Sequence, residues 1–510
     1  MPIAVASQSS VLTPVTVDTV KSTTLLPPVA IDAVKAATTS SSSNGLDHRA
    51  MLSRTALLRP DSAIRSLFPA EKVPGMLSLL AGKPNTDTFP ISNIALTIKP
   101  IAEEKETILS ISGSDLEEGL QYGQTWGLTR LLDWLTQFQS RLHGRSVTPS
   151  SEDNAWRVSI GGGSQDLLTK AFNSLINPGD SILVESPVYT GILPTLACLQ
   201  ANVVGVQTDS QGLMSSALEE TLSNWTTSLQ TAAHPFPKII YTVPTAANPS
   251  GATASEQRKR EVLAVARRFG VLIFEDDPYM LLSFDGLGED TPETRRRVRT
   301  YWSLEQDEAE EWGSGWVVRF DSFSKIISGG IRVGFVTGPK LIVDYIDKET
   351  SSANLQGSGA SQAIVLALLE HWKYEGLLQH CDRVAAFYRK RRDNFEAKAR
   401  AVLGAQSDGR PAVAEWVTPE AGMFLWLRLN LPPVSAPHGQ HGDSFSLVSE
   451  KAKAKGVLAV PGVAFMPNEE CSSYVRTSYS IIPEEDVEEA FKRIRDCVEE
   501  AWQEQGPVMM

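Results

Sequence analysis

The chain has 510 residues, 42% of them hydrophobic and 21% charged, so its core is large enough to hold without disulfide staples. Sixty Asp and Glu against 47 Lys and Arg give a net charge of −13, which disfavours non-specific attraction to nucleic acid or to an anionic membrane surface. No run approaches the roughly 18 uninterrupted apolar residues that a membrane span needs.

Residues 1–45 are rich in Ser, Thr, Val and Ala, contain no Arg and have few aromatics, so the segment reads as a disordered arm that packing cannot order. Mitochondrial transit peptides are Arg-rich and acid-poor, whereas here Lys21 and Lys35 are matched by Asp18 and Asp32. A cytoplasmic location is the expectation, with mitochondrial import as the weaker alternative. Cys198, Cys381, Cys471 and Cys497 stand far apart and form no CxxC pair, so they read as reduced thiols of an intracellular protein. His438 and His441 sit in a Pro/Gly-flanked loop without a ligand set, and no metal is expected.

From residue 128 the pattern turns regular. Leu128, Leu131, Leu132, Leu135, Phe138 and Leu142 follow helical spacing. A strand over 156–160 runs into a glycine-rich turn and a helix over 165–175, and further strands are predicted at 181–185, 238–243, 271–275 and 316–320. Thr253 and Glu256 match a capping box that opens a helix ending at Gly270. Strands alternating with helices imply a mostly parallel sheet covered on both faces. The expected layout is an N-terminal segment (46–80) packing on a smaller domain, a large α/β domain (81–345) and a smaller α+β C-terminal domain (346–510). The charged stretch 286–315 reads as a solvated surface insertion.

Four segments carry chemistry. In Asp321-Ser-Phe-Ser-Lys325, followed by Arg332, an amine stands between hydroxyls and a guanidinium just after a buried strand. Such an amine becomes a nucleophile when a desolvated or cationic setting lowers its pKa, and Ser322, Ser324 and Arg332 are groups that hold a phosphate. Taken alone, the same segment also reads as a surface lysine in a Ser/Gly-rich loop. In GGGSQD (161–166) a turn opens a helix whose first N–H groups, at Ser164 and Gln165, can face an anion. In FEDDPYM (274–280) Asp276, Asp277 and Tyr279 end an apolar strand, which is where ligands bind in parallel sheets, although an acidic pair there also serves as a helix cap. Asn248, in PTAANPSG (244–251), lies in a turn after another strand.

Together these segments resemble the fold-type I, pyridoxal-phosphate-dependent class I/II aminotransferases. The likeness is strongest to the branch of fungal aromatic and kynurenine/2-aminoadipate aminotransferases. It runs from about residue 59 to 505 through AGKPN, LQYG, GGSQDLL, ESPVY, PTAANPSG, EDDPY, SFSK with its Arg, PEAGMFLW and VRTSYS, in that order. The resemblance implies a large cofactor domain, a small domain, and pyridoxal phosphate attached to Lys325, which then moves the proton at the substrate Cα. It implies that Asp276 keeps the ring nitrogen protonated, that Tyr279 and Asn248 bond the ring oxygen, and that Tyr189 stacks on the ring. Ser164, Gln165, Ser322, Ser324 and Arg332 would bind the phosphate, and Arg476 the substrate carboxylate, with Asn248 beside it. Family enzymes are homodimers with shared active sites, so Tyr122 is implied to reach the partner's cofactor. Arg65 matches an arginine that closes over substrate, and Ala81, Gly82 and Phe424 fall at substrate contacts. Ala247, Gly329 and Ile331 depart from residues common in relatives and bear on pocket shape, not on the catalytic groups.

The activity implied is transfer of an amino group from an aromatic, kynurenine-like or 2-aminoadipate-like amino acid to a 2-oxo acid such as 2-oxoglutarate. Two other readings stay open at this stage. A lyase or decarboxylating enzyme would also need Arg476 for an α-carboxylate. A non-catalytic sensor would need a basic helix-turn-helix ahead of residue 59, and the Ser/Thr-rich arm offers no such periodicity.

Overall fold

Apolar strands without a polar face need cover on both sides, and the middle of this chain supplies a sheet of them. The computed structural model describes residues 45–80, 82–100, 105–147, 155–288, 295, 297–405, 411–433, 442–468 and 470–505. β1 (Asn93–Ile98) and β2 (Thr107–Ser112) form an antiparallel hairpin. The large sheet contains β3 (Trp156–Gly161), β4 (Ser181–Ser186), β5 (Asn202–Asp209), β6 (Gly212–Leu213), β7 (Ile239–Thr242), β8 (Leu272–Asp276), β9 (Val317–Ser322) and β10 (Gly334–Pro339). Their order is β3-β10-β9-β8-β7-β4-β5-β6. Neighbours from β5 through β9 are parallel, and only β10 and β6 run against the rest. The mostly parallel sheet read from the strand–helix alternation is what forms.

Helices Ser164–Leu175 and Lys340–Ala353 cover one face, where Phe172 and Leu168 pack with Val184, Tyr241, Phe274 and Val336. Thr129–His143 and Glu256–Phe269 cover the other, burying Leu131, Leu135, Val262, Ile240, Ile273 and Val317. Each fully buried aliphatic or aromatic side chain of this kind contributes roughly 1.5–3 kcal/mol of transfer free energy. The Thr253–Glu256 capping box does not form. Ser255 is the N-cap, its hydroxyl accepting from Arg258 N, while Thr253 Oγ1 accepts from Ala246 N in the preceding turn.

A second, fully antiparallel sheet has the order β11-β12-β14-β13, built from β11 (Ala414–Glu415), β12 (Phe424–Leu429), β13 (Val460–Pro461) and β14 (Tyr474–Ser478). Leu425, Leu427 and Val475 face a core shared with Phe395 and with the terminal helix Val487–Gln505. Strand alternation turns Phe424, Trp426, Tyr474 and Arg476 to the opposite face. The helical span Gly359–Leu403 links the two sheets, with Leu366 and Leu369 in the large core and Phe395 and Ala399 in the small one; it breaks at Lys373 (φ 57°).

Two expectations need correcting. The segment at 46–58 packs on the large sheet's cover and not on the small domain. Leu52 and Ala56 bury against Tyr345, and Ser53 N donates to Ser174 O at 2.8 Å. Its short apolar helices find a groove between Ser164–Leu175 and Lys340–Ala353, which local sequence does not reveal. The 286–315 stretch is buried in part, while Asp307, Glu308, Glu310 and Glu311 in its acidic run are exposed. Tyr301 and Trp302 are fully buried, Arg295 and Arg297 both pair with Asp382, and Glu305 pairs with Arg145. These buried charges meet partners distant in the chain, whereas Arg299 pairs with Asp307 inside the stretch itself. Residues 289–294 and 296 lie outside the described residues, as do the 1–44 part of the N-terminal arm and the His438–His441 loop. All four cysteines are free, Cys381 and Cys497 buried, Cys198 and Cys471 exposed.

Candidate active site

The carboxyl ends of parallel strands open onto loops, and here three of those ends deliver functional groups to one place. β8 ends in Asp276, β9 ends in Ser322 just before the turn that carries Lys325, and β7 leads into the turn that carries Asn248. β14 of the second sheet contributes Arg476 from across the cleft, where its Nη1 donates to Asn248 Oδ1 at 2.8 Å.

Asp276 is buried at 4% exposure; its Oδ2 accepts from Tyr241 Oη at 2.6 Å and its Oδ1 has no partner. Burial pushes this carboxyl up to about 7, and the nearby Asp277 and Asp321 add to the rise against the hydrogen bond from Tyr241. Lys325 is held below its ordinary value, first by burial, then by the positive charges of Arg332 and Arg476, with Asp276 opposing. Tyr189 and Tyr279 are both raised by burial and by the charge of Asp276, and both feel Arg476. Lys325, Tyr189 and Tyr279 thus each lie within the electrostatic reach of both Asp276 and Arg476.

The anion-binding corner is made by the backbone. Gly163 (φ 106°) precedes helix Ser164–Leu175, and no side chain caps that helix, so its first N–H groups remain available. Arg332 lies against it, its Nη2 donating to Gly162 O at 2.5 Å and its Nη1 to Ser324 Oγ and Gly329 O, both at 3.2 Å. A Cβ at position 163 would sit 2.5 Å from Arg332 Nη2, so the approach demands glycine. Ser322 Oγ accepts from Ser324 N at 3.1 Å and closes the turn. Gln165 Nε2 donates to Gly191 O at 2.8 Å, leaving its buried Oε1 unpaired. Tyr189 folds over Gly191, where any Cβ would meet its ring.

Arg476 is half-buried, its guanidinium 4.3 Å from the Phe424 ring centroid and 5.1 Å from that of Phe465. Among the described residues no hydrogen bond joins Arg65, Tyr122 or Gly82 to these groups. Arg65 donates to Gly123 O at 3.0 Å and Thr125 Oγ1 at 3.1 Å, Tyr122 is 49% exposed beside it, and Gly82 is exposed. Ala81 lies outside the described residues. Two features were not read from sequence. One is Tyr241. The other is the fully buried Arg319, which ties β8 to β9 through Asp277 at 3.1 Å, Glu275 at 3.3 Å and Asp321 at 2.8 Å. An arginine inside an otherwise apolar strand next to an acidic strand end was the available signal for the second.

An amine of lowered basicity, a buried acid with one free oxygen, and an uncapped helix end braced by arginine suit a cofactor that is at once an aldehyde, a nitrogen base and a phosphate. The chain belongs to the aminotransferase class I and II family, whose model matches residues 100–494. It is 42% identical to the aminotransferase tdiD of Emericella nidulans, over 86% of this chain and 92% of that one. It is 34% identical to the mitochondrial kynurenine/alpha-aminoadipate aminotransferase of Bos taurus, over 89% of this chain and all of that one. Among solved structures, the aromatic aminotransferase Aro9 of Candida albicans superposes with a TM-score of 0.75 at 26% identity, covering 90% of this chain and 99% of that one. The cofactor is pyridoxal phosphate, and the residues present fit it. Asp276 Oδ1 has no donor from the chain and is free to accept from a protonated ring nitrogen, and the geometry of the Gly163–Arg332 corner favours an anion. No helix among the described residues is long and apolar enough to cross a membrane.

Proposed function

We propose that this aminotransferase moves the amino group of an aromatic, kynurenine-like or 2-aminoadipate-like L-amino acid to a 2-oxo acid such as 2-oxoglutarate. The observation that carries the reading is that Lys325 feels the charges of both Asp276 and Arg476, while Arg476 of the second sheet bonds Asn248 in the turn after β7. The names of the relatives support the substrate class.

Bound pyridoxal phosphate supplies an electron sink for the pair left at Cα when its proton departs. Lys325 would hold the cofactor through its amine and, once displaced, take the Cα proton; burial and the charges of Arg332 and Arg476 lower its basicity, which favours the neutral amine that this task needs. Asp276 would hold a proton at the ring nitrogen through Oδ1. Tyr279 and Asn248 would bond the ring oxygen, and Tyr189 would pack on the ring. Ser164, Gln165, Ser322, Ser324 and Arg332 would bind the phosphate. Arg476 grips the substrate carboxylate as a planar fork, oriented by Asn248 and by the Phe424 ring beneath it.

The working form in this reading is a homodimer in which Arg65, Tyr122 and Gly82 complete the partner's site. The exposure of Tyr122, at 49%, and of the apolar Leu58, Leu77 and Leu79, at 83%, 92% and 103%, supports it.

The test is a half-reaction panel on the purified holoenzyme with Phe, Tyr, Trp, kynurenine, 2-aminoadipate and Glu. Conversion of the cofactor to its amino form, with release of the matching 2-oxo acid, is the expected result. Release of carbon dioxide or of a β-substituent in place of the oxo acid would overturn it.

A further inference from the structure

The phenol of Tyr241 is the one side chain that bonds Asp276 directly among the described residues, and nothing assigned so far uses it. Tyr241 stands opposite Phe274 in the parallel register of β7 and β8, so its ring shares the face on which Asp276 ends β8, one step along the strand. The ring is fully buried beside Phe172, at 6.4 Å between centroids, in the apolar cluster under helix Ser164–Leu175. A phenol in such a setting costs free energy unless its O–H is placed, and here it is placed on Asp276 Oδ2 at 2.6 Å. That length belongs to a hydroxyl donating to a carboxylate.

We propose that Tyr241 is a positioning residue for the cofactor: by occupying Oδ2 it fixes the carboxyl's orientation and leaves Oδ1 as the acceptor for the ring nitrogen. The proposal rests on the assignment of Asp276 made above. The groups facing Asp276 explain why a neutral donor is needed there. Asp277 beside it and Asp321 on β9 oppose its charge, and Arg319 on β9 favours it. Glu185 on β4 and the phenols Tyr189 and Tyr279 also feel Asp276, and Lys325 faces it from the turn after β9. Arg319 is committed to Glu275, Asp277 and Asp321. Tyr241 therefore supplies the direct bond that favours the ionised form. Its own proton is secure, because burial and the adjacent acids raise the phenol far above its ordinary value.

The experiment titrates pyridoxal phosphate into the cofactor-free full-length chain and follows its dissociation constant against pH. Asp276 ionises near 7 in the free chain, and binding draws a proton between Oδ1 and the ring nitrogen, so the plot breaks at that ionisation. In Tyr241→Phe the affinity falls roughly tenfold, the size of one hydrogen bond to a charged group, and the break moves to higher pH. A loss equal at every pH would mean that Tyr241 only packs, and would overturn the proposal. Fluorotyrosine at position 241 donates a stronger hydrogen bond and moves the break downward. Should Tyr241→Phe fail to fold by circular dichroism, that enzyme decides, and an unmoved break overturns the proposal. Asp276→Asn separates the two levels of inference, since it weakens binding and erases the break if Asp276 meets the ring nitrogen. An Asn variant that keeps both shows that the assignment of Asp276 is at fault, not the Tyr241 bond.

Discussion

Arg476 carries its charge on a plane that lies 4.3 Å from the Phe424 ring and shares a hydrogen bond with Asn248. A lysine ammonium at the same position keeps the charge but loses the fork and the stacking. Arg476→Lys is therefore expected to raise KM for the amino acid by roughly 10- to 100-fold, the worth of a charge-assisted bond or two, with a smaller change in the maximal half-reaction rate. Stopped-flow half-reactions at varied amino acid measure both; an unchanged KM would remove Arg476 from the carboxylate site. At this scale Lys325 and Asp276 stood out as candidates from residue type and position at or after a strand end, whereas Arg476, inside β14, was proposed only through the family resemblance. Tyr241 was not legible. In KIIYTV it counts as one more apolar residue of a buried strand, and only the pairing of β7 with β8 turns its hydroxyl toward an acid.

Among elements, the turn from β3 into helix Ser164–Leu175 depends on Gly163 for two reasons that act together. Its φ of 106° disfavours any side chain, and a Cβ would displace the Arg332 guanidinium. Arg332 is itself in the left-handed region at φ 51°, held by its bonds to Gly162, Ser324 and Gly329. Gly163→Ala is expected to lower pyridoxal phosphate affinity by at least about tenfold, given roughly 1–3 kcal/mol for such strain, while the far-ultraviolet dichroism of the chain stays unchanged. Equilibrium titration of the cofactor checks it, and wild-type affinity would show that the corner does not meet the phosphate. The helices themselves were legible from periodicity to within a residue or two, as with Thr129–His143. Caps were less so, because Thr253 was drawn into the turn by Ala246 N and Ser255 took its place.

For the whole molecule, the exposed Leu77 and Leu79 and the half-exposed Tyr122 make a dimer the economical arrangement. Light scattering of the wild type is expected to give twice the chain mass. Leu77→Asp combined with Leu79→Asp is expected to shift it toward the monomer and to lower activity in proportion. A fully active wild-type monomer would sink the shared site. The charged 286–315 stretch shows the limit of reading charge along a line, since Glu275 accepts from Tyr301 N at 2.8 Å and Trp302 N at 3.2 Å, and Arg295 finds Asp382 87 residues away. By itself the order of residues determined the alternation of strands and helices, the family and the groups able to do chemistry, because these depend on local spacing and on side-chain type. The tertiary structure alone decided which oxygen of Asp276 is free, where the N-terminal helices dock and which charges are neutralised. Those outcomes are settled by register and packing between segments far apart in the chain, where burial makes every unpaired polar atom costly.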